Sequence, residues 1–167
     1  MDSQASLLLP SRMSNQPTTD FMGEAVRLAR EGVDSGAGGP FGAVVVKDGR
    51  IVGAACNRVL EAGDPTAHAE VEAIRRACAE LGSVSLAGCE IFATCEPCPM
   101  CLGAIHWARI ERVVFALTRE DATEIGFDDE AIHEAMATLR MPMERIVRTD
   151  AAELMRAWLD KPDRPRY

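Results

Sequence analysis

Three of the six cysteines of this 167-residue chain lie in one eight-residue stretch, TCEPCPMC, at Thr94–Cys101. A disulfide framework, a redox pair and a metal site are all compatible with such a cluster, and the rest of the chain must decide between them. Cys98 and Cys101 are three residues apart, so they share one face if a helix begins there. The unpaired N–H groups of a first helical turn favour thiolates, the form of cysteine that binds zinc. The stretch therefore predicts two neighbouring thiolates at a strand-to-helix junction.

The chain has only three histidines that could complete a zinc site with these thiols. His106 comes five residues after Cys101 and would face the other side of the same helix, and His133 stands in a polar segment without neighbouring ligands. His68 lies in the stretch PTAHAE, where another helix is expected to begin. We therefore predict that His68, Cys98 and Cys101 bind Zn²⁺. Three protein ligands with a fourth position open are typical of a catalytic zinc rather than a structural one.

Glu70, two residues after His68, is the predicted catalytic residue. Zinc lowers the pKa of a bound water towards 7, and a carboxylate beside that water can act as general base and general acid. Each of these features has a simpler interpretation when it is taken alone. The Cys-x-x-Cys motif could be a redox pair or half of a structural zinc site, and Glu70 could be a solvated charge on a helix. Together, however, they match the pattern His-x-Glu followed by Pro-Cys-x-x-Cys, which is known from zinc deaminases. The remaining cysteines are interpreted as core residues, with Cys95 as a buried thiol at a strand end.

Hydrophobic periodicity and turn residues predict an α/β fold, a three-layer α/β/α sandwich around a central, mostly five-stranded mixed sheet. A helix is expected after a cap at Asp20, and an Asp48-Gly49 turn predicts a hairpin between the first two strands. The later strand Val113–Leu117 has the composition of a buried strand. The remaining predicted elements are strands at Phe41–Lys47, Arg50–Cys56, Cys89–Thr94 and Arg145–Arg148, and helices at Ala67–Leu81, Pro97–Ala108, Asp129–Leu139 and Ala151–Leu159.

The length of the chain suits one domain, which we place at residues 20–160. Residues 1–19 are polar and without a period, and are expected to be a disordered leader, with Met1 or Met13 as the natural start. Residues 161–167 form a C-terminal tail. No apolar run approaches the roughly 20 residues needed to span a bilayer, and no signal peptide is evident, so we expect a cytoplasmic protein without membrane contact. The net charge of −8 argues against nucleic acid as a partner.

Several stretches of the chain resemble the cytidine deaminase-like superfamily and, within it, the bacterial guanine deaminases. The resemblance runs from about Asp20 to Tyr167. The stretches that carry it are GGPFGAVVVKDG at 38–49, DPTAHAEV at 64–71, CEPCPMCLGAI at 95–105 and GFDD at 126–129. The second and third would also suit tRNA adenosine deaminases, whereas the first and last are similar to the guanine branch.

This resemblance implies hydrolytic deamination of guanine to xanthine and ammonia. It implies a homodimer, with a domain-swapped tail that brings Tyr167 to the partner's site. It also implies residues that contact the small purine substrate: Asn57, Asp129, Tyr167, Phe41, Trp107 and Ala69. Ordinary structural roles stay open for them, such as a turn for Asn57, a helix cap for Asp129 and core packing for the aromatic residues.

Other substrates and other functions are also compatible with the sequence. Guanosine, cytosine or a triazine would use the same type of pocket. Three features argue against a tRNA adenosine deaminase: the net negative charge, the guanine-type Phe41, and the presence of only two lysines, Lys47 and Lys161. A zinc-binding protein without catalytic activity would need a fourth protein ligand, and no convincing one is found.

Overall fold

A mixed four-stranded sheet forms the centre of the structure, which is a computed structural model describing residues 20–127 together with Ile132 and Glu134. The strand order is β2-β1-β3-β4. β1 pairs antiparallel with β2 and with β3, and β3 pairs parallel with β4. The elements in chain order are α1 Phe21–Asp34, β1 Gly42–Lys47, β2 Arg50–Cys56, α2 Val59–Ala62, α3 Ala69–Leu81, β3 Cys89–Cys95, α4 Pro99–Trp107, β4 Arg112–Leu117 and α5 Arg119–Glu124.

Helices cover both faces of this sheet. Val44 and Val46 of β1 pack with α1 on one face, whereas Ala43 and Val45 pack with α3 and α4 on the other. This is the alternation that a strand buried on both sides requires. The described part therefore has the α/β architecture that the sequence predicts.

Two glycines allow the helices to approach the strands closely. A Cβ atom on Gly42 would lie 2.0 Å from the carbonyl oxygen of Ala25 in α1. On the other face, a Cβ atom on Gly53 would lie 2.2 Å from the carbonyl oxygen of Ala73 in α3. Because no real side chain fits in that space, these contacts fix how closely α1 and α3 lie on the sheet.

The hairpin and the first helix form as the sequence predicts. Asp48 and Gly49 have φ values of 50° and 73°, the left-handed backbone that a two-residue type I′ turn needs. Asp20 caps α1 by accepting a hydrogen bond from the backbone N–H of Gly23 at 2.8 Å. Both predictions are confirmed.

The strand predicted at Val113–Leu117 forms as β4, but the prediction that it is buried does not hold among the described residues. β4 lies at the edge of the described sheet, and the side chains of Phe115 and Leu117 are about half exposed, at 45% and 53%. The apolar sequence suits a strand with neighbours on both sides, and among the described residues only β3 pairs with it.

Two short helices, α2 and α5, are not predicted from the sequence, because four and six residues are too few to show a helical period. The predicted leader 1–19, strand 145–148, helix 151–159 and tail 161–167 lie outside the described residues, as does the helix 129–139 apart from Ile132 and Glu134, which are helical. Within the described ranges, no helix combines the length and apolar character needed to cross a bilayer.

Candidate active site

The three predicted zinc ligands meet at the N-termini of two helices. His68 is the N-cap of α3 and Cys98 is the N-cap of α4, and neither side chain caps its own helix. The Nδ1 atom of His68 lies 3.7 Å from Sγ of Cys98 and 3.6 Å from Sγ of Cys101. All three potential ligand atoms lie within 4.8 Å of one another. This spacing fits one ion held by two thiolates and an imidazole.

Prolines define the junction that presents the two thiols. β3 ends at Cys95, and Pro97 is fully buried immediately after it. Pro99 then opens α4, where its fixed φ suits a first turn and its missing N–H costs no helical hydrogen bond. Because Cys98 is the cap and Cys101 lies one turn later, both sulfur atoms face the same side.

A hydrogen bond between the Cys98 and Cys101 thiols shifts their pKa values in opposite directions. A hydrogen bond from the Cys101 side chain, together with the His68 ring, lowers the pKa of Cys98 to about 4. The same hydrogen bond and burial raise the pKa of Cys101. A divalent cation would relieve this competition, because it stabilises both sulfurs as thiolates.

Glu70 lies in the first turn of α3 next to these ligands and is buried, with 7% of its surface exposed. Burial raises the pKa of its carboxyl group, and the nearby Cys98 adds to this effect. No lysine or arginine is among the described residues that line the site, so a bound cation would supply the missing positive charge. The donor set, its charge and its burial therefore fit a zinc ion.

These groups open into a cavity of about 470 Å³, a size typical of pockets for small molecules. Its walls come from residues 35–41 between α1 and β1, called here the glycine loop, and from the end of β2, α2 and the loop after α5. The lining residues are Gly38, Gly39, Phe41, Asn57, Val59, Leu60, Pro65, His68, Glu70, Cys95, Glu96, Cys98 and Phe127.

Two aromatic rings form one wall of the cavity. Phe41 and Phe127 pack edge to face, with ring centroids 4.7 Å apart. A Cβ atom on Gly39 would lie 2.8 Å from the ring of Phe127, so the glycine makes room for this pair. Phe41 is predicted from the sequence as a site residue, whereas Phe127 is not, because nothing in the sequence places the segment after β4 beside the glycine loop.

Asn57 is almost fully buried in the cavity wall, with 4% of its surface exposed. Its Oδ1 atom accepts hydrogen bonds from the backbone N–H groups of Gly39 at 3.3 Å and Val59 at 3.2 Å. Since these bonds occupy the oxygen, the amide NH₂ is the part of the side chain suited to a ligand.

The remaining predicted site residues fall elsewhere. Trp107 ends α4 and is 67% exposed, outside this cavity, and Ala69 packs in the core rather than lining the cavity. Asp129 and Tyr167 lie outside the described residues. Cys95, interpreted from sequence as a buried thiol, is buried and also lines the cavity, where it donates a hydrogen bond to the carbonyl oxygen of Thr118.

Comparisons with known proteins agree with this geometry. Residues 15–117 match the family model of the cytidine and deoxycytidylate deaminase zinc-binding region. Guanine deaminase of Bacillus subtilis is 46% identical over 88% of this chain and 97% of its own length. An X-ray structure of guanine deaminase from the same species superposes with a TM-score of 0.82, covering 88% of this chain and 96% of that one.

Two further relatives bear on the choice of substrate. A structure of guanine deaminase from Nitrosomonas europaea has a TM-score of 0.63 at 32% identity, over 77% of this chain and 79% of its own. A tRNA-specific adenosine deaminase of Aquifex aeolicus is 36% identical over 84% of this chain and 93% of its own length.

Proposed function

The chain belongs to the cytidine and deoxycytidylate deaminase zinc-binding family, and from this premise we propose that it is a zinc-dependent aminohydrolase that converts guanine to xanthine and ammonia. The observation that carries the proposal is the convergence of His68, Cys98 and Cys101 beside the buried Glu70, at a cavity large enough for a purine.

His68, Cys98 and Cys101 would hold the zinc ion. When bound, zinc makes a water molecule acidic enough to lose a proton near neutral pH. The N-termini of α3 and α4 meet at the site, so the positive ends of their helix dipoles can stabilise negative charge that develops on the substrate.

Glu70 moves the protons in this mechanism. Its carboxylate takes one proton from water as the water oxygen bonds to C2 of guanine, and delivers it to the ring nitrogen N3. It then transfers the second proton to the amino group, which leaves C2 as ammonia. Both water protons therefore end on nitrogen, and the water oxygen becomes the 2-oxo group of xanthine. The raised pKa of the buried carboxyl suits a group that must both accept and donate a proton.

The cavity walls would hold the purine in place for this reaction. The amide NH₂ of Asn57 can donate to an acceptor on the base, and the rings of Phe41 and Phe127 offer an apolar surface for its plane. From the resemblance, we assign Asp129 a contact with the hydrogen-bonding edge of the base. We assign Tyr167 a contact with the substrate of the partner subunit in a domain-swapped dimer. A site that hydrogen-bonds one base edge discriminates strongly against bases that lack it.

A tRNA adenosine deaminase is the second candidate, because the Aquifex aeolicus relative has that activity in its name. The charge of −8 and the absence of lysine and arginine from the described cavity lining disfavour a polyanionic substrate.

An assay of ammonia and product formation separates these candidates. The zinc-loaded full chain would be incubated with guanine, guanosine, cytosine, adenine and a tRNA anticodon stem-loop, with Cys98→Ala as the metal-free control. We expect equal amounts of xanthine and ammonia from guanine, and neither product with the control. Deamination of the stem-loop without turnover of guanine would contradict the proposal.

We also propose that two copies of the chain form a homodimer through the outer face of α4. Met100, Leu102 and Trp107 expose 37%, 41% and 67% of their surface there, and α4 contains no Asp, Glu, Lys or Arg. Among the described residues, the one charged group that the structure places on this face is the Arg109 guanidinium, 5.8 Å from the centre of the Trp107 ring. Because each chain carries a charge of −8, a face without acidic residues suits contact between two identical chains.

Two further parts of the proposal concern the fold and the location. We propose that residues 145–148 add a fifth strand beside β4 and complete the three-layer sandwich, and the open edge of β4 among the described residues supports this.

We propose a cytoplasmic location, since all six cysteines are free and a thiolate zinc site needs reduced thiols.

A further inference from the structure

A salt bridge at the cavity joins two side chains to which the proposed reaction assigns no role. Nη2 of Arg119 lies 3.0 Å from Oε1 of Glu96, with 15% and 25% of the two side chains exposed. Among the described residues, it is the only salt bridge in which both side chains are less than a third exposed. Glu96 lines the cavity on the loop before Cys98, and Arg119 is the first residue of α5.

The segment 118–127 has few other anchors within the described structure. Its backbone is tied to the end of β3 where the Cys95 thiol donates to the carbonyl oxygen of Thr118 at 3.1 Å. Ala122 is its one buried residue, and apart from the half-buried Arg119 and Phe127 its side chains are exposed. A segment with so little buried surface opens easily unless a polar contact holds it.

This segment places Phe127 in the cavity wall. The backbone N–H of Phe127 donates to the carbonyl oxygen of Ala122 at 3.1 Å, so the residue follows the last turn of α5 closely. Its ring then packs against Phe41, which belongs to the glycine loop. A displacement of α5 would therefore separate the two rings.

We propose that Glu96 and Arg119 are positioning residues, and that their salt bridge holds α5 so that Phe127 stays packed against Phe41 as the aromatic wall of the cavity. The proposal rests on the proposed function in that this cavity binds a purine. If the wall is already ordered before the substrate binds, binding does not cost the conformational entropy of ordering it. The salt bridge therefore contributes to substrate affinity. Neither side chain takes part in proton transfer, and the chemical step is left to Glu70.

The test compares Arg119→Gln, Glu96→Gln and the double variant in the zinc-loaded full chain. We expect each single variant to raise KM for guanine about tenfold with kcat changed by less than about twofold. This pattern arises when a lost interaction had stabilised the bound substrate and the transition state equally. The double variant should resemble the single variants, because both remove the same salt bridge. Arg112→Gln is the matched control, since it breaks the Arg112–Glu90 salt bridge at the other end of the same strand pair, and it should change neither constant.

Amide hydrogen exchange of residues 118–127 provides a readout that does not depend on turnover. We expect exchange about tenfold faster in Arg119→Gln, again without change in Arg112→Gln. If the wild-type chain fails to deaminate guanine, the proposed function is lost, and hydrogen exchange still decides whether the pair holds this segment.

Two results would overturn the proposal. One is a loss of kcat in Glu96→Gln that Arg119→Gln does not share, which would mean that Glu96 acts on the substrate directly. The other is unchanged KM and unchanged hydrogen exchange in Arg119→Gln, which would mean that the salt bridge positions nothing.

Discussion

The Nδ1 atom of His68 lies 3.6 Å from the Sγ atom of Cys101, although 33 residues separate them along the chain. The two residues belong to the N-terminal ends of α3 and α4, which pack in one core cluster on the same face of the sheet. The site therefore exists only when both helices are docked, and folding and metal binding are coupled.

Glu70→Gln is expected to lower kcat for guanine by roughly 10²–10⁴-fold, because the amide can neither take nor donate the proton. The substitution preserves shape and zinc content, so loss of turnover can be assigned to proton transfer. Steady-state kinetics and elemental analysis measure both properties. Glu80→Gln, at the exposed end of the same helix, is the control and should behave as wild type. Wild-type turnover by Glu70→Gln would remove the general base assignment.

Removal of zinc is expected to lower the melting temperature. A ligand at 100 times its Kd stabilises the folded state by about 2.7 kcal/mol, which corresponds to roughly 5–10 °C for a domain of this size. Differential scanning calorimetry with and without a chelator measures the shift. Cys98→Ala should show no such shift because it has no complete site, and an equal shift in that variant would indicate that the metal binds elsewhere.

The sequence predicts the metal site better than the cavity around it, for physical reasons. His-x-Glu and Cys-x-x-Cys are local patterns at helix starts, so spacing alone puts His68, Cys98 and Cys101 on the correct turns. Phe127 escapes prediction because its position depends on α5, a short polar helix held by tertiary contacts. Trp107 is exposed because it follows Cys101 by six residues, about 600° of helical rotation, and so lies on another face of α4.

Gly42→Ala is expected to destabilise the fold by about 1–3 kcal/mol, because the added methyl group would overlap the carbonyl oxygen of Ala25 and push α1 from the sheet. Thermal unfolding measures the effect. Gly103→Ala is the matched control, since a Cβ atom there meets nothing within 4 Å among the described residues. If Gly42→Ala unfolds at the wild-type temperature, the close packing of α1 on β1 is not required.

Leu102→Glu is expected to convert the proposed dimer to monomer, because it places two negative charges opposite each other in an apolar contact. Sedimentation velocity at several protein concentrations gives the oligomeric state. Ile125→Glu adds the same charge at another exposed apolar residue, 60% exposed after α5, and should leave the dimer intact. A dimer that survives Leu102→Glu but dissociates with Ile125→Glu would place the interface elsewhere.

X-ray absorption at the zinc edge of the purified, zinc-loaded full chain measures the ligands of the metal site. We expect one zinc per chain with two sulfur ligands at about 2.3 Å, one imidazole nitrogen at about 2.0–2.1 Å and one further light atom from solvent. We also expect Cys98→Ala to purify without stoichiometric zinc, whereas Cys78→Ala retains it. A zinc ion with three or four sulfur ligands, or full zinc content in Cys98→Ala, would mean that His68, Cys98 and Cys101 are not the zinc ligands.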